Sequence, residues 1–190
     1  DFTDVDQNTP EAQRGDNNPG RNALNIYGDE VARTIEGIGR VSRTGYEEKD
    51  VAQYDVYGTK FGGSLHYRIK DGLELIYALN WGQGTTMYTG SSRYALNNFK
   101  LLQNRIELRG RNFFLRGYST GERSSDSYNS RSLGHHITRT WVQDESGNVV
   151  SPALADDTWF TRYTDAFTGN ISGVSFQNHA AARVYADEGR

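Results

Sequence analysis

Two strand carboxylates, Glu74 and Glu107, are the first residues in this sequence whose type could support covalent chemistry. Paired carboxylates are the equipment of glycoside hydrolysis, one acting as acid and the other as base or nucleophile. Four cations, Arg68, Arg105, Arg109 and Arg116, occupy the same segments, so cross-strand ion pairs on a wet sheet face are the competing use of both groups. His135-His136 lies near Asp144 and Glu145, but adjacent histidines without an i, i+4 partner lack the spacing of a zinc site. Asp4-x-Asp6-x-Asn8 opens like a calcium loop, then places Thr9 where the sharp-turn glycine belongs and Gly15 where the bidentate glutamate belongs. That excludes an EF-hand and leaves a loop calcium at Asp4 or Asp156-Asp157 as the metal these acidic stretches offer. No other cofactor is expected, since no nucleophile-elbow, phosphate-loop or dinucleotide motif occurs.

Aromatic side chains are the better candidates for ligand contact. Tyr88, Trp159 and Tyr163 stand in the regions between or after the apolar runs, free to pack loops together or to touch a ligand, and Phe160 shares that reading. Trp81 and Tyr94 sit at strand ends, where interfacial belts of aromatic residues occur in membrane barrels.

The elements that position these residues are mainly strands. Residues 57–82 alternate cleanly: Phe61, Leu65, Tyr67 and Ile69, then Leu73, Leu75, Tyr77, Leu79 and Trp81, on one face; Gly62, Ser64, His66 and Arg68 on the other. A tight Asp71-Gly72 turn joins the two runs. A second pair, 94–109 and 113–120, flanks 110–112, with a phase conflict between Phe99 and Leu101 on odd positions and Leu102, Ile106 and Leu108 on even ones. Either a bulge or a mixed face accounts for it. The strands expected are therefore about 57–69, 73–82, 94–109 and 113–120. Residues 1–56 read as a loop region with a short helix starting near Asp29, carrying Val31 and Ile35 on one side. Residues 121–190 read as a large irregular region with a short helix at 178–187. Short turns at one end of the strands and long connections at the other, including about 82–93, match the loop asymmetry of outer-membrane barrels.

The bulk properties agree with a strand-rich chain. Its 190 residues include 12 Tyr, 8 Phe and 21 Gly against 3 Pro and 1 Met. With 21 Lys+Arg against 24 Asp+Glu, nothing argues for a nucleic-acid partner. Cysteine is absent, which removes disulfides and thiolate sites. No apolar run reaches the roughly 20 residues of a membrane helix.

Several segments taken together resemble TonB-dependent outer-membrane receptors of the Bacteroidetes type: NALNIYGDEV (22–31), SRTGYEE (42–48), LHYR (65–68), LEL (73–75), NWGQGTTMY (80–88), SRY (92–94), RNFFLRGYST (111–120), HAAAR (179–183) and AD (186–187). The resemblance covers about 20–190. It implies a segment of an antiparallel transmembrane barrel in the outer membrane, all-β, with the flanking regions as extracellular loops. Such receptors close a roughly 22-stranded barrel around a plug, import a ligand with energy passed from the inner membrane, and many pair with a surface lipoprotein. The implied partners are outer-membrane lipid, the remainder of the barrel and plug, TonB through segments outside this sequence, and a surface lipoprotein. No enzymatic step is implied. The rival readings are a secreted β-sandwich that binds carbohydrate through loop aromatics, and a β-rich hydrolase using Glu74 or Glu107. The odd-numbered side chains of 61–81 decide between them: lipid beside them favours the receptor, a second sheet the sandwich.

Overall fold

The computed structural model describes residues 18–23, 25–90 and 92–189. The Asp4–Asn8 calcium-loop candidate lies outside the described residues. Strand predominates over helix, and every pairing is antiparallel. The chain forms two units, one from the residues up to Ala52 together with those from Ser130, the other from Gln53 to Asn129.

The first unit corrects the expectation of an all-β chain. Its strands are short: β1 (Ile26–Tyr27), β2 (Ala32–Ile35), β3 (Gly39–Ser42) and β4 (Tyr46–Glu47), followed by a one-turn helix α1 (Glu48–Val51). No helix starts near Asp29. Gly28 takes φ +107° and breaks the chain there, while Asp29 accepts the Ala23 amide at 2.9 Å instead of capping a downstream turn. The β-branched run beyond it pairs as a hairpin, with Ile35 opposite Gly39 and a turn closed by Ile38 N–H to Ile35 O. Gly37 and Gly39, which were to shorten a helix, supply the positive φ of that turn.

Residues beyond 129 are also corrected, from irregular loop to three helices: α2 (Ser130–Thr140), α3 (Pro152–Phe167) and α4 (His179–Asp187). Only α4 was expected. Polar residues crowd the sequence here because each helix buries one narrow stripe. In α3 that stripe is Ala155, Trp159, Phe160, Tyr163 and Ala166, at helical spacing, with Pro152 in the first turn. In α4 it is Ala182 and Ala186, small enough to let α3 approach, and Asn178 caps the helix by accepting Ala181 N–H at 3.0 Å. Val41 of β3 closes the cluster, with Val31, Ile35, Ile38 and Phe167 packed around it. Between α2 and α3 a small hairpin pairs Gln143 with Val149.

Two guanidinium groups tie the short strands to this core. Arg43, 1% exposed, bonds Asp156 at 2.8 Å, and Arg139 bonds the other Asp156 oxygen at 2.6 Å. Burial alone would push the Asp156 carboxyl up, but the hydrogen bonds from Arg139 and Arg43 outweigh it and hold the group below the usual carboxylate range. Arg183 of α4 donates to Ser42 O and Pro19 O, both at 2.8 Å, and to Thr44 Oγ1. It thereby joins the end of β3 to the Pro19 carbonyl, which already accepts the Ser42 amide at 2.8 Å.

The second unit is a sheet in the order β5 (Tyr57–Lys70), β6 (Leu73–Thr89), β7 (Arg93–Gly110), β8 (Phe114–Arg123), with a two-residue strand β9 (Tyr128–Asn129) beside the far end of β7. All four expected strands are present, and β6 runs further than expected. The long connection expected at about 82–93 is instead strand, and β6 joins β7 through residues 90–92. Register is continuous from Phe99 to Gly110, so the phase conflict at Leu101–Leu102 is a mixed face and not a bulge. A bulge does occur, one step earlier at Asn98, where β7 gains a residue against β6 and φ turns to +53°. The sheet is open, with β5 and β8 at its edges.

Candidate functional site

The strand register sorts the sheet into two faces. Successive rows on the first are Tyr67–Leu75–Leu108–Leu115, Leu65–Tyr77–Ile106–Gly117, Gly63–Leu79–Asn104–Ser119 and Phe61–Trp81–Leu102–Gly121. No helix or second sheet of this unit lies over them: Leu65 is 69% and Leu115 71% exposed, and Phe61, Tyr67, Tyr77, Leu102 and Ile106 are exposed as well. Asn104 and Ser119 are the polar exceptions in the middle rows, and the Tyr77 hydroxyl donates to Asn104 Oδ1 at 2.7 Å. The next row, Thr59–Gln83–Lys100–Arg123, is wholly polar and ends the apolar band. The four rows from Leu75 to Trp81 run about 20 Å along the strand, and Leu73, in the following row with Lys70 and Gly110, takes the apolar side chains of β6 to about 27 Å. A strand tilted by about 40° carries that over roughly 21 Å, close to the ~25 Å apolar belt of an outer-membrane barrel.

The reverse face carries the charge. Glu107, 1% exposed, accepts Arg109 Nε at 2.9 Å on one oxygen and Arg116 Nε at 2.7 Å on the other, with Arg105 at 3.9 Å. Three guanidinium groups thus cover it on a sheet one layer thick. His66 and Glu74 meet across β5 and β6 at 3.0 Å. Ser64, Asn80, Gln103 and Thr120 line a polar trough beside Arg105 and Tyr118 on this face. Phe114 is exposed among these groups and is covered by the Arg116 guanidinium, 5.3 Å from the ring centroid. Glu74 and Glu107 therefore share a face: Glu107 is held by guanidinium groups, and Glu74 meets the His66 imidazole at the rim of a groove it lines with Arg68 and Arg109.

The three aromatic candidates are not brought together. Trp159 and Tyr163 are wholly buried in the helical core, their rings stacked 5.5 Å apart, with Phe160 edge-on to Trp159 at 5.1 Å. They present no surface to a ligand in this structure. Tyr163 is pushed up to about 12 by burial, and its hydroxyl meets His179 Nδ1 at 2.7 Å. Tyr88 is exposed on the β6–β7 extension, 6.3 Å from Tyr94. Trp81 stands in the last apolar row, next to the polar one. Tyr94 lies beyond the polar row and the bulge, so it is not at the edge of the band.

The metal candidates are committed elsewhere. His135 Nε2 meets Glu30 Oε2 at 3.1 Å, and Arg131 meets the other oxygen. Asp144 accepts the Ser146 and Asn148 amides of its own turn, which holds its carboxyl below the usual range and keeps it from the histidine pair. Asp156 is held by two arginines and Asp157 by Arg33. Among the described residues no group of three or more His, Cys, Asp or Glu converges on one point. Burial raises Asp29 to about 6, with Oδ1 unpartnered, but it stands alone.

The sequence reading missed the Lys100–Arg123 pair and the Arg43–Asp156–Arg139 anchor. The first was reachable, because Lys100 and Arg123 are equidistant from the 111–112 turn and so oppose each other in a hairpin. The second was not, since its partners are more than a hundred residues apart and join segments that read as separate loops. Comparison with family models, curated proteins and solved structures finds no match to this chain.

Proposed function

We propose that this chain is a segment of the wall and outer loops of an outer-membrane receptor that imports a ligand with TonB-coupled energy. The observation that carries the reading is the two-faced sheet. An apolar face uncovered within its unit, roughly 21 Å tall at a strand tilt of about 40° and ended by a polar row, backs onto a face of ion pairs and amides. In water that apolar face is a liability; in a bilayer it is what a barrel wall requires. Both edges are strands ready to pair with neighbours, as a segment of a larger closed barrel demands. The chain enters β5 and leaves β8 at the same end of the sheet, opposite the tight turns at 71–72 and 111–113. The end that carries the 71–72 and 111–113 turns is then periplasmic; the other end, where β6 and β7 run on beyond the polar row to their 90–92 turn, faces the cell exterior, and the helical unit acts as a folded loop that meets ligand or a surface lipoprotein. The sequence resemblance supports the same assignment, and no covalent step is part of it.

The test is a pair of epitope tags in the full receptor, one at Ser146–Gly147 and one at Asp71–Gly72. Intact cells are expected to bind antibody at the first site alone, and the second becomes reactive only after the outer membrane is permeabilised. Release of the tagged protein into the medium in soluble form would overturn the assignment and favour the secreted carbohydrate-binding sandwich.

A further inference from the structure

The polar row that ends the apolar band contains an unusual pairing. Lys100 and Arg123 are direct cross-strand partners on β7 and β8, both exposed, both on the apolar side of the sheet. Like charges at opposed positions repel and destabilise a ladder. Neither makes an ion pair or hydrogen bond among the described residues. Glu122 is adjacent in sequence, but alternation sends it to the other face. Gln83 and Thr59, the other members of the row, are uncharged.

Directly below this pair the surface is concave. Trp81, Leu102 and Gly121 form the last apolar row, and with Lys100, Leu101, Glu122 and Arg123 they line one shallow groove, the register placing the Leu101 and Glu122 side chains on the reverse face. Gly121 makes the groove: a Cβ placed there meets nothing within 4 Å. An apolar floor that ends at two unneutralised cations has the chemistry of an acyl chain leading to a phosphate.

We propose that this groove binds a phospholipid of net negative charge, with the phosphate bridging Lys100 and Arg123, no headgroup cation opposing them, and an acyl chain lying over Gly121 beside Leu102 and Trp81. The inference rests on the lipid-facing reading above and adds to it a specific headgroup chemistry at one place. The anion converts a repulsive pair into two charge-assisted contacts, and the groove below it selects a lipid over free phosphate. On the orientation given above, the site lies in the outer leaflet.

The experiment is native mass spectrometry of the detergent-solubilised full receptor, titrated separately with phosphatidylglycerol, with phosphatidylcholine of the same acyl chains, and with inorganic phosphate. Retention of phosphatidylglycerol is expected to exceed that of phosphatidylcholine by about tenfold or more, two surface cations each contributing on the order of tenfold or somewhat less. The double variant Lys100→Gln, Arg123→Gln is expected to hold one phosphatidylglycerol fewer. Gly121→Leu fills the groove at a position with open space, leaves both cations in place, and is expected to lose the same lipid. Equal retention of the two lipids, or a preference that survives the double variant, overturns the headgroup site while leaving the lipid-facing sheet intact. Displacement of the lipid by inorganic phosphate overturns the lipid assignment. Failure to retain either lipid overturns the lipid-facing reading itself.

Discussion

Trp159→Ala is expected to unfold the helical unit under conditions where the strand sheet persists. Its indole is wholly buried between α3 and α4, stacked on Tyr163, edge-on to Phe160, and flanked by the Arg43 and Arg183 guanidinium groups at 5.6 and 5.8 Å. Its Nε1 donates to Asp187 Oδ1 at 3.0 Å, which fixes the end of α4. Truncation removes the largest side chain of the core and leaves a cavity whose walls are rings and helices that cannot collapse, at a cost of about 3–5 kcal/mol. The two arginines lose the aromatic face that shields them, so the strand hairpin they anchor loosens with the core. Limited trypsin digestion in increasing urea measures this: cleavage within α3 and α4 is expected at markedly lower urea than in the unaltered protein. Trp159→Phe, which keeps a ring in the stack, is expected to fall between. Unchanged digestion with reduced ligand capture would instead make Trp159 a contact residue, against its burial.

On the proposed barrel-wall reading, Ile106→Arg is expected to prevent stable insertion, with Gln103→Arg as the control that does not. Ile106 lies in the middle row of the apolar band, between Tyr77 and Gly117, and is exposed. An arginine at the bilayer midplane of a barrel wall costs about 2–4 kcal/mol. Gln103 is only three residues away but on the charged face, where Arg105, Arg109 and Arg116 already stand. The measured quantity is the urea concentration that unfolds the full receptor in lipid vesicles. A large drop for Ile106→Arg and little change for Gln103→Arg follow from the two-faced sheet. Equal effects would mean that both faces meet the same solvent.

What the sequence disclosed, and what it hid, follows from the range of the forces involved. The sheet is written in local terms: strict alternation through 61–81, an Asp-Gly turn, and a hairpin whose partners are fixed by distance from 111–112. Those signals are sufficient for strands, faces and the Glu107–Arg116 pairing. The helical unit is written in long-range terms. Arg43 to Asp156 and Arg183 to Pro19 are contacts between remote segments, and each helix alone buries too few apolar residues to stand out from a polar loop. Trp159 and Tyr163 illustrate the point: four residues apart on a polar stretch, they read equally as loop aromatics or as one helix stripe, and only the partner helix decides. The start of the expected helix near Asp29 failed for a related reason, since an aspartate before a β-branched run serves a cap or a turn with equal ease, and Gly28 selected the turn.

In the proposed barrel wall, Phe61 to Trp81 presents alternate side chains to lipid and to water. The chain has no cysteine, so single cysteines from residue 62 to residue 80 in the full receptor can each carry a nitroxide spin label. In lipid vesicles, collision rates with oxygen, which concentrates in the bilayer, are measured against those with a water-soluble nickel chelate. A period of two is expected: labels at Gly63, Leu65, Tyr67, Leu75, Tyr77 and Leu79 favour oxygen, and labels at Gly62, Ser64, His66, Ala78 and Asn80 favour nickel. Nickel accessibility at every position, or protection of the odd positions from both reagents by a covering sheet, would contradict it.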